Sequence, residues 1–141
     1  MKKLLIGLIA MGILILVLLV LSNWEPPKRD ILDGTIWKVV SLNNTPLVKS
    51  TTLSIRFHNW NVSGSSGCNT FTGRYEITEE SISITDIEMN TTNCLFPGTM
   101  EEERTFIKYL QEVTNFIFSE QELTLTTKNG NTVKFISLTA K

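Results

Sequence analysis

The chain has 141 residues, with 13 basic and 14 acidic side chains giving a net charge of −1. With an apolar N-terminal run set aside, the remainder suits one domain with one hydrophobic core and leaves no length for a second. The near-balanced charge provides no basic field, which excludes nucleic acid as a partner class.

Lys2 and Lys3 precede an uncharged run from Leu4 to Leu21, weakened as a helix only by Gly7 and Gly12. At 1.5 Å per residue this run reaches about 27 Å, close to the ~30 Å hydrocarbon thickness of a bilayer. Residues 1–22 therefore read as a single-pass transmembrane signal anchor. The lysines favour the cytoplasmic side, which places the C-terminal domain outside the cytoplasm, periplasmic or extracellular. A cleaved signal peptide is the alternative, with Val20 and Ser22 as small residues before a cut at Asn23 and a secreted product. Residues 23–32 form a linker, because Pro26 and Pro27 are incompatible with helix or central strand. Trp24 within it suits either a membrane interface or the first core position of the domain.

Residues 33–141 read as short extended segments broken by turn residues. Trp37 and Val39 share one face of a strand over 35–42, ended by Asn43-Asn44 and Pro46. Leu53, Ile55 and Phe57 alternate with polar residues, the period of a half-buried strand. A turn at His58-Asn59 leads into Trp60 to Gly64 as a hairpin. Tyr75 with Ile77, Ile82 with Ile84, and Phe116 with Phe118 mark further strands. Near the C-terminus Leu123, Leu125, Val133 and Phe135 flank Asn129-Gly130, whose positive φ preference predicts a type I′ hairpin.

Only one stretch outside the N-terminus has helical periodicity: Phe106, Ile107, Leu110 and Val113 fall on one face. Thr99 followed by Glu102 predicts a capping box, and Glu101 to Glu103 suit the positive end of the helix dipole. That acidic run is accounted for by helix stability rather than by catalysis. Many strands with one amphipathic helix predict a mainly β (α+β) fold, a strongly curved antiparallel sheet packed on that helix.

The run from Val62 to Tyr75, with Gly67, Cys68, Asn69, Phe71, Gly73 and Tyr75 at its signature positions, resembles the most recognisable motif of META domains, the HslJ-like family. Gly34 to Trp37 is similar to that family's opening strand. Cys94, Pro97, Met100, Glu103 and Phe106 resemble the entry into its helix, and Leu123 to Phe135 its closing hairpin. The likeness covers about Ile31 to Leu138. Asn90 to Cys94 departs from the Thr-x-Met-x-Cys run that members often carry. The resemblance implies a partly open, lipocalin-like barrel with one helix, and a loose association with stress tolerance or the cell envelope. It implies no reaction.

Cys68 and Cys94 are the only cysteines. An even count in an exported domain favours a structural disulfide, with two packed free thiols as the alternative. Two cysteines and the single His58 fall short of a zinc ligand set. Nucleophilic catalysis would need His58 as base for Cys68 or Ser66, yet the Gly64 to Gly67 run is no nucleophile elbow. Gly64, Gly67 and Gly73 read as positions of positive φ or close backbone approach. No residue set reads as catalytic, metal-binding or cofactor-binding. The expectation is a non-enzymatic, membrane-anchored module that binds an envelope protein or a small apolar ligand in stress tolerance. An assembly or secretion accessory acting through a sheet edge is the second reading, and a hydrolase using Cys68 or Ser66 with His58 the third.

Overall fold

Apolar residues that alternate with polar ones become the buried faces of most of the nine strands among the described residues. In the computed structural model, which describes residues 2–22, 30–48, 52–90 and 99–139, these are β1 (Ile36–Leu42), β2 (Thr45–Pro46), β3 (Leu53–His58), β4 (Asn61–Ser66), β5 (Thr70–Ile77), β6 (Ile82–Met89), β7 (Val113–Phe118), β8 (Glu122–Thr127) and β9 (Thr132–Ser137). Along β5 every second residue is buried, Phe71, Gly73, Tyr75 and Ile77 facing inward. Eight strands follow the antiparallel order β6-β5-β4-β3-β1-β9-β8-β7, with β2 paired to β1. The two ends of that path meet at an isolated antiparallel bridge between Ser81 and Asn115. The barrel is thus nearly closed, beyond the partly open form that the family likeness implies.

Helix α2 (Thr99–Glu112) fills the interior. Phe106 and Leu110 are fully buried. The Phe106 ring meets Phe71 of β5 edge-on at 5.8 Å and Phe135 of β9 at 6.4 Å, so one helical side chain bridges two distant parts of the sheet. Trp37, Phe57, Tyr75 and Leu123 complete a continuous core.

Several turns differ from the sequence expectation. Asn43-Asn44 and Asn59-Trp60 have positive φ at both positions and join strands directly, the signature of type I′. The β3–β4 turn therefore lies one residue later than His58-Asn59. The C-terminal hairpin is not type I′: Gly130 alone has positive φ, and Thr127 N–H donates to Asn131 O at 2.9 Å, closing a three-residue loop. Three-residue loops place a single residue, here glycine, in the left-handed region. Val113 begins β7 rather than continuing the helix. The capping box is absent as well. Thr99 is itself the first helical residue, its Oγ1 buried without a partner among the described residues, while Glu102 Oε1 accepts Val48 N–H at 2.6 Å.

The N-terminal run forms helix α1 (Lys2–Ser22), whose side chains are described at position 6 and over 11–22. The described large apolar side chains, Ile6, Met11 and those from Ile13 to Leu21, are exposed. Among the described residues no helix is long and apolar enough to cross a membrane, so the expected bilayer-spanning segment is not established. Most of the linker lies outside the described residues, Trp24, Pro26 and Pro27 included.

Candidate functional site

The motif segment is fastened to the helix. Glu103 opens the apolar stripe of α2, three residues before Phe106, and its side chain turns inward rather than toward solvent. Its Oε2 accepts Ser66 Oγ–H at 2.7 Å and Asn69 N–H at 3.2 Å, and its Oε1 accepts Asn69 Nδ2–H at 2.8 Å. A buried carboxylate is tolerated only where donors replace water, and three donors do so here. The expectation that Glu103 merely complements the helix dipole is corrected by this inward orientation. Its signal in the sequence was spacing, since Glu103, Phe106, Ile107 and Leu110 follow the i, i+3, i+4, i+7 pattern of one helical face.

The remaining motif residues each have a placement. Gly67 has φ near 114°, a conformation that side chains with a Cβ rarely adopt. Gly64, just before it, lies so close to β3 that an added Cβ would stand 2.0 Å from Ser54 O. Phe71 packs on Phe106, and Gly73 faces inward at a bulge between β5 and β6. Cys68 is half-buried and disulfide-bonded. Cys94, its expected partner, lies outside the described residues.

Tyr75 ends the motif in a second polar contact. Its hydroxyl donates to Asp30 Oδ2, while Asp30 Oδ1 accepts the N–H groups of Leu32 and Asp33 at 3.0 and 3.1 Å. Burial, then the hydrogen bond and the charge of Asp30, push the phenol far above its usual range. Trp60 lies over Tyr75, ring centroids 5.8 Å apart.

The residues considered for hydrolysis are not brought together. His58 sits at the β3–β4 turn, its Nδ1 3.5 Å from Asp33. It pairs with Asn61, whereas Ser66 pairs with Leu53 at the other end of the same hairpin. Five residues of strand separate them, about 16 Å. Ser66 is fully buried, with its hydroxyl committed to Glu103. Among the described residues no group of three or more His, Cys, Asp or Glu side chains could hold a metal ion.

Fold and site together define a small, helix-plugged antiparallel barrel whose signature loop is clamped to the helix by a buried carboxylate. Residues 30–140 match the META domain family model, and the chain belongs to that family. Similar folds include a protein from Burkholderia xenovorans solved by NMR, with a TM-score of 0.64 at 20% identity, covering 84% of this chain and 94% of its own. A second NMR structure has a TM-score of 0.61 at 23% identity over 74% of this chain and 90% of its own. A crystal structure of a DUF4847 family protein from Bacteroides vulgatus has a TM-score of 0.54 at 14% identity, covering 75% and 94%. At these identities the likeness concerns the fold alone. No curated protein matches the sequence.

Proposed function

We propose that this META-domain protein is a non-catalytic module held at a membrane by α1, its barrel extracytoplasmic, binding an envelope protein or a small apolar ligand in stress tolerance. The observation that carries this reading is the exposed apolar surface of α1, with Met11 to Leu21 uncovered by the barrel. Surface of that kind marks an interaction site, and the uncharged run of which it is part suits a bilayer. Because Phe106 and Leu110 occupy the barrel interior, recognition falls to the outer surface. The disulfide at Cys68 is assigned to Cys94, the one other cysteine in the sequence. Carbonate extraction of the full chain, protease protection of intact cells and crosslinking in native membranes test the reading. Membrane retention, cleavage from outside and a reproducible crosslinked partner are expected. Full release by carbonate together with protection of the barrel would overturn it.

A sheet-edge accessory in assembly or secretion is the second reading. It is favoured by the contact of β6 with β7 at the single bridge Ser81 to Asn115 and by Ile117, 73% exposed on the edge strand β7. Such an edge presents main-chain donors and acceptors to an added strand. A lysine at position 117 should weaken a partner's crosslinking if this edge carries binding, and leave it unchanged if it does not.

A further inference from the structure

The β3–β4 turn holds a residue that its geometry disfavours. Type I′ turns take Asn or Gly, and this chain uses Asn43-Asn44 for its other such turn. At the β3–β4 tip the second position is Trp60, with φ near 63°. A bulky side chain in this region is strained, and such strain clusters at ligand-contacting positions. The Trp60 ring rests on Tyr75 and remains 41% exposed. Its carbonyl accepts Tyr75 N–H at 3.0 Å, which seats the turn against β5.

A second strained residue faces the same space. Asp86, with φ near 52°, sits in β6 where the register with β5 shifts between Thr72 and Arg74. Bulges of this kind re-aim side chains. Trp60 and Asp86 together with Arg74, Glu76 and Thr85 line an open hollow of about 380 Å³. Arg74 and Glu76 project from the outer face of β5, and Thr85 is the cross-strand partner of Arg74.

We infer that this hollow binds a sugar ring of a neutral glycan. A pyranose offers one apolar C–H face and a rim of hydroxyls that both donate and accept. The exposed Trp60 indole supplies a flat platform whose electron-rich face attracts C–H groups. Around it the guanidinium of Arg74 only donates, the carboxylates of Glu76 and Asp86 accept, and the Thr85 hydroxyl does both. That mixture matches hydroxyls better than an ion. An ammonium ligand would meet Arg74, and a phosphate would meet two carboxylates. A glycan can reach the hollow whether or not α1 enters a bilayer.

The test uses the full chain in a micelle whose headgroups carry no sugar, titrated with cellohexaose, chitohexaose and maltohexaose while the Trp60 indole N–H and the Arg74 and Thr85 amides are followed by NMR. Saturable shifts of these signals with at least one hexamer are expected. Trp60→Gly restores the preferred Asn-Gly turn, so it should keep the fold and weaken binding at least tenfold. Arg74→Ala should weaken it several-fold. No response to any hexamer overturns the inference. So does unchanged binding by folded Trp60→Gly, or shifts produced by tetramethylammonium or inorganic phosphate but by none of the glycans.

Discussion

Glu103 Oε1 accepts the side-chain amide of Asn69 at 2.8 Å, and through this bond the helix inside the barrel holds the loop that carries the family motif. Ser66 Oγ and Asn69 N–H occupy the other carboxylate oxygen. Removing the acceptor breaks all three of these bonds between the helix and the buried side of the loop. Glu103→Ala should therefore destabilise the domain by about 3 kcal/mol. Glu101→Ala, on the exposed side of the same helical turn, should change stability by less than about 0.5 kcal/mol. Urea denaturation compares the two, and equal effects would show that the clamp contributes nothing.

Truncating the plug should be as damaging for a different reason. Phe106 is fully buried between Phe71 and Phe135. Phe106→Ala removes those ring contacts and leaves a cavity that a closed sheet relaxes around poorly, at about 3 to 5 kcal/mol. Leu110→Ala should cost about 2 to 5 kcal/mol. Ile117→Ala, on the exposed edge, is the control. An unchanged melting temperature for either core variant would place the helix elsewhere.

Alkaline pH should act through Tyr75. Its folded-state pKa is raised above the ordinary phenol value, so the folded domain keeps the proton where the unfolded chain releases it. The stability this provides is intact below about pH 10 and is lost as pH rises beyond it. Tyr75→Phe loses the hydrogen bond to Asp30, about 1.5 kcal/mol, at neutral pH. Above pH 10 its stability should fall less steeply than that of the parent. Parallel stability curves from pH 8 to 11.5 would rule Tyr75 out as the source.

Gly64 should tolerate no side chain. A Cβ there would lie 2.0 Å from Ser54 O and 3.0 Å from the Phe71 ring, so Gly64→Ala must push β3 and β4 apart or displace the core. A loss of about 1 to 3 kcal/mol is expected, typical of overpacking. Faster amide exchange should appear at Ile55 and Ser65, next to the clash. Gly130→Ala makes a useful contrast, since that glycine has open space around it and only its φ near 80° to oppose a side chain.

Much of the strand arrangement was legible because burial on one face of a sheet imposes a period of two. Leu53, Ile55 and Phe57 alternate in the sequence and are all fully buried in β3. The helix was legible in the same way through Phe106, Ile107 and Leu110. Its C-terminal limit was not, because Val113 satisfies helical spacing and strand burial equally, and pairing with Thr127 decides in favour of strand. The turn types escaped for a related reason. Asn129-Gly130 favours a two-residue hairpin locally, but the register of β8 with β9 pairs Thr126 with Thr132, and the Thr127 N–H bond to Asn131 O inside that pair leaves three residues to close the loop.

The candidate sites were less legible than the fold. The motif from Gly67 to Tyr75 was visible as a pattern, yet nothing local shows that Asn69 and Ser66 meet Glu103, more than thirty residues away. The acidic run at 101–103 looked uniform, and only the phase of the helix separates inward Glu103 from exposed Glu101. Likewise Trp60 reads as a strand residue in a linear scan. Its strained turn and its place beside Asp86 depend on a bulge two strands away.

By itself the amino-acid order determined the strand periodicity, the single amphipathic helix, the apolar N-terminal run and the family, since each is a property of residues close together along the chain. Tertiary structure alone decided that the sheet nearly closes, that a carboxylate is buried inside it, and that Trp60, Arg74 and Asp86 share one hollow. Those outcomes depend on pairing between segments far apart in the chain, where the loss of water from polar groups and the twist of the sheet act on partners that no local window contains.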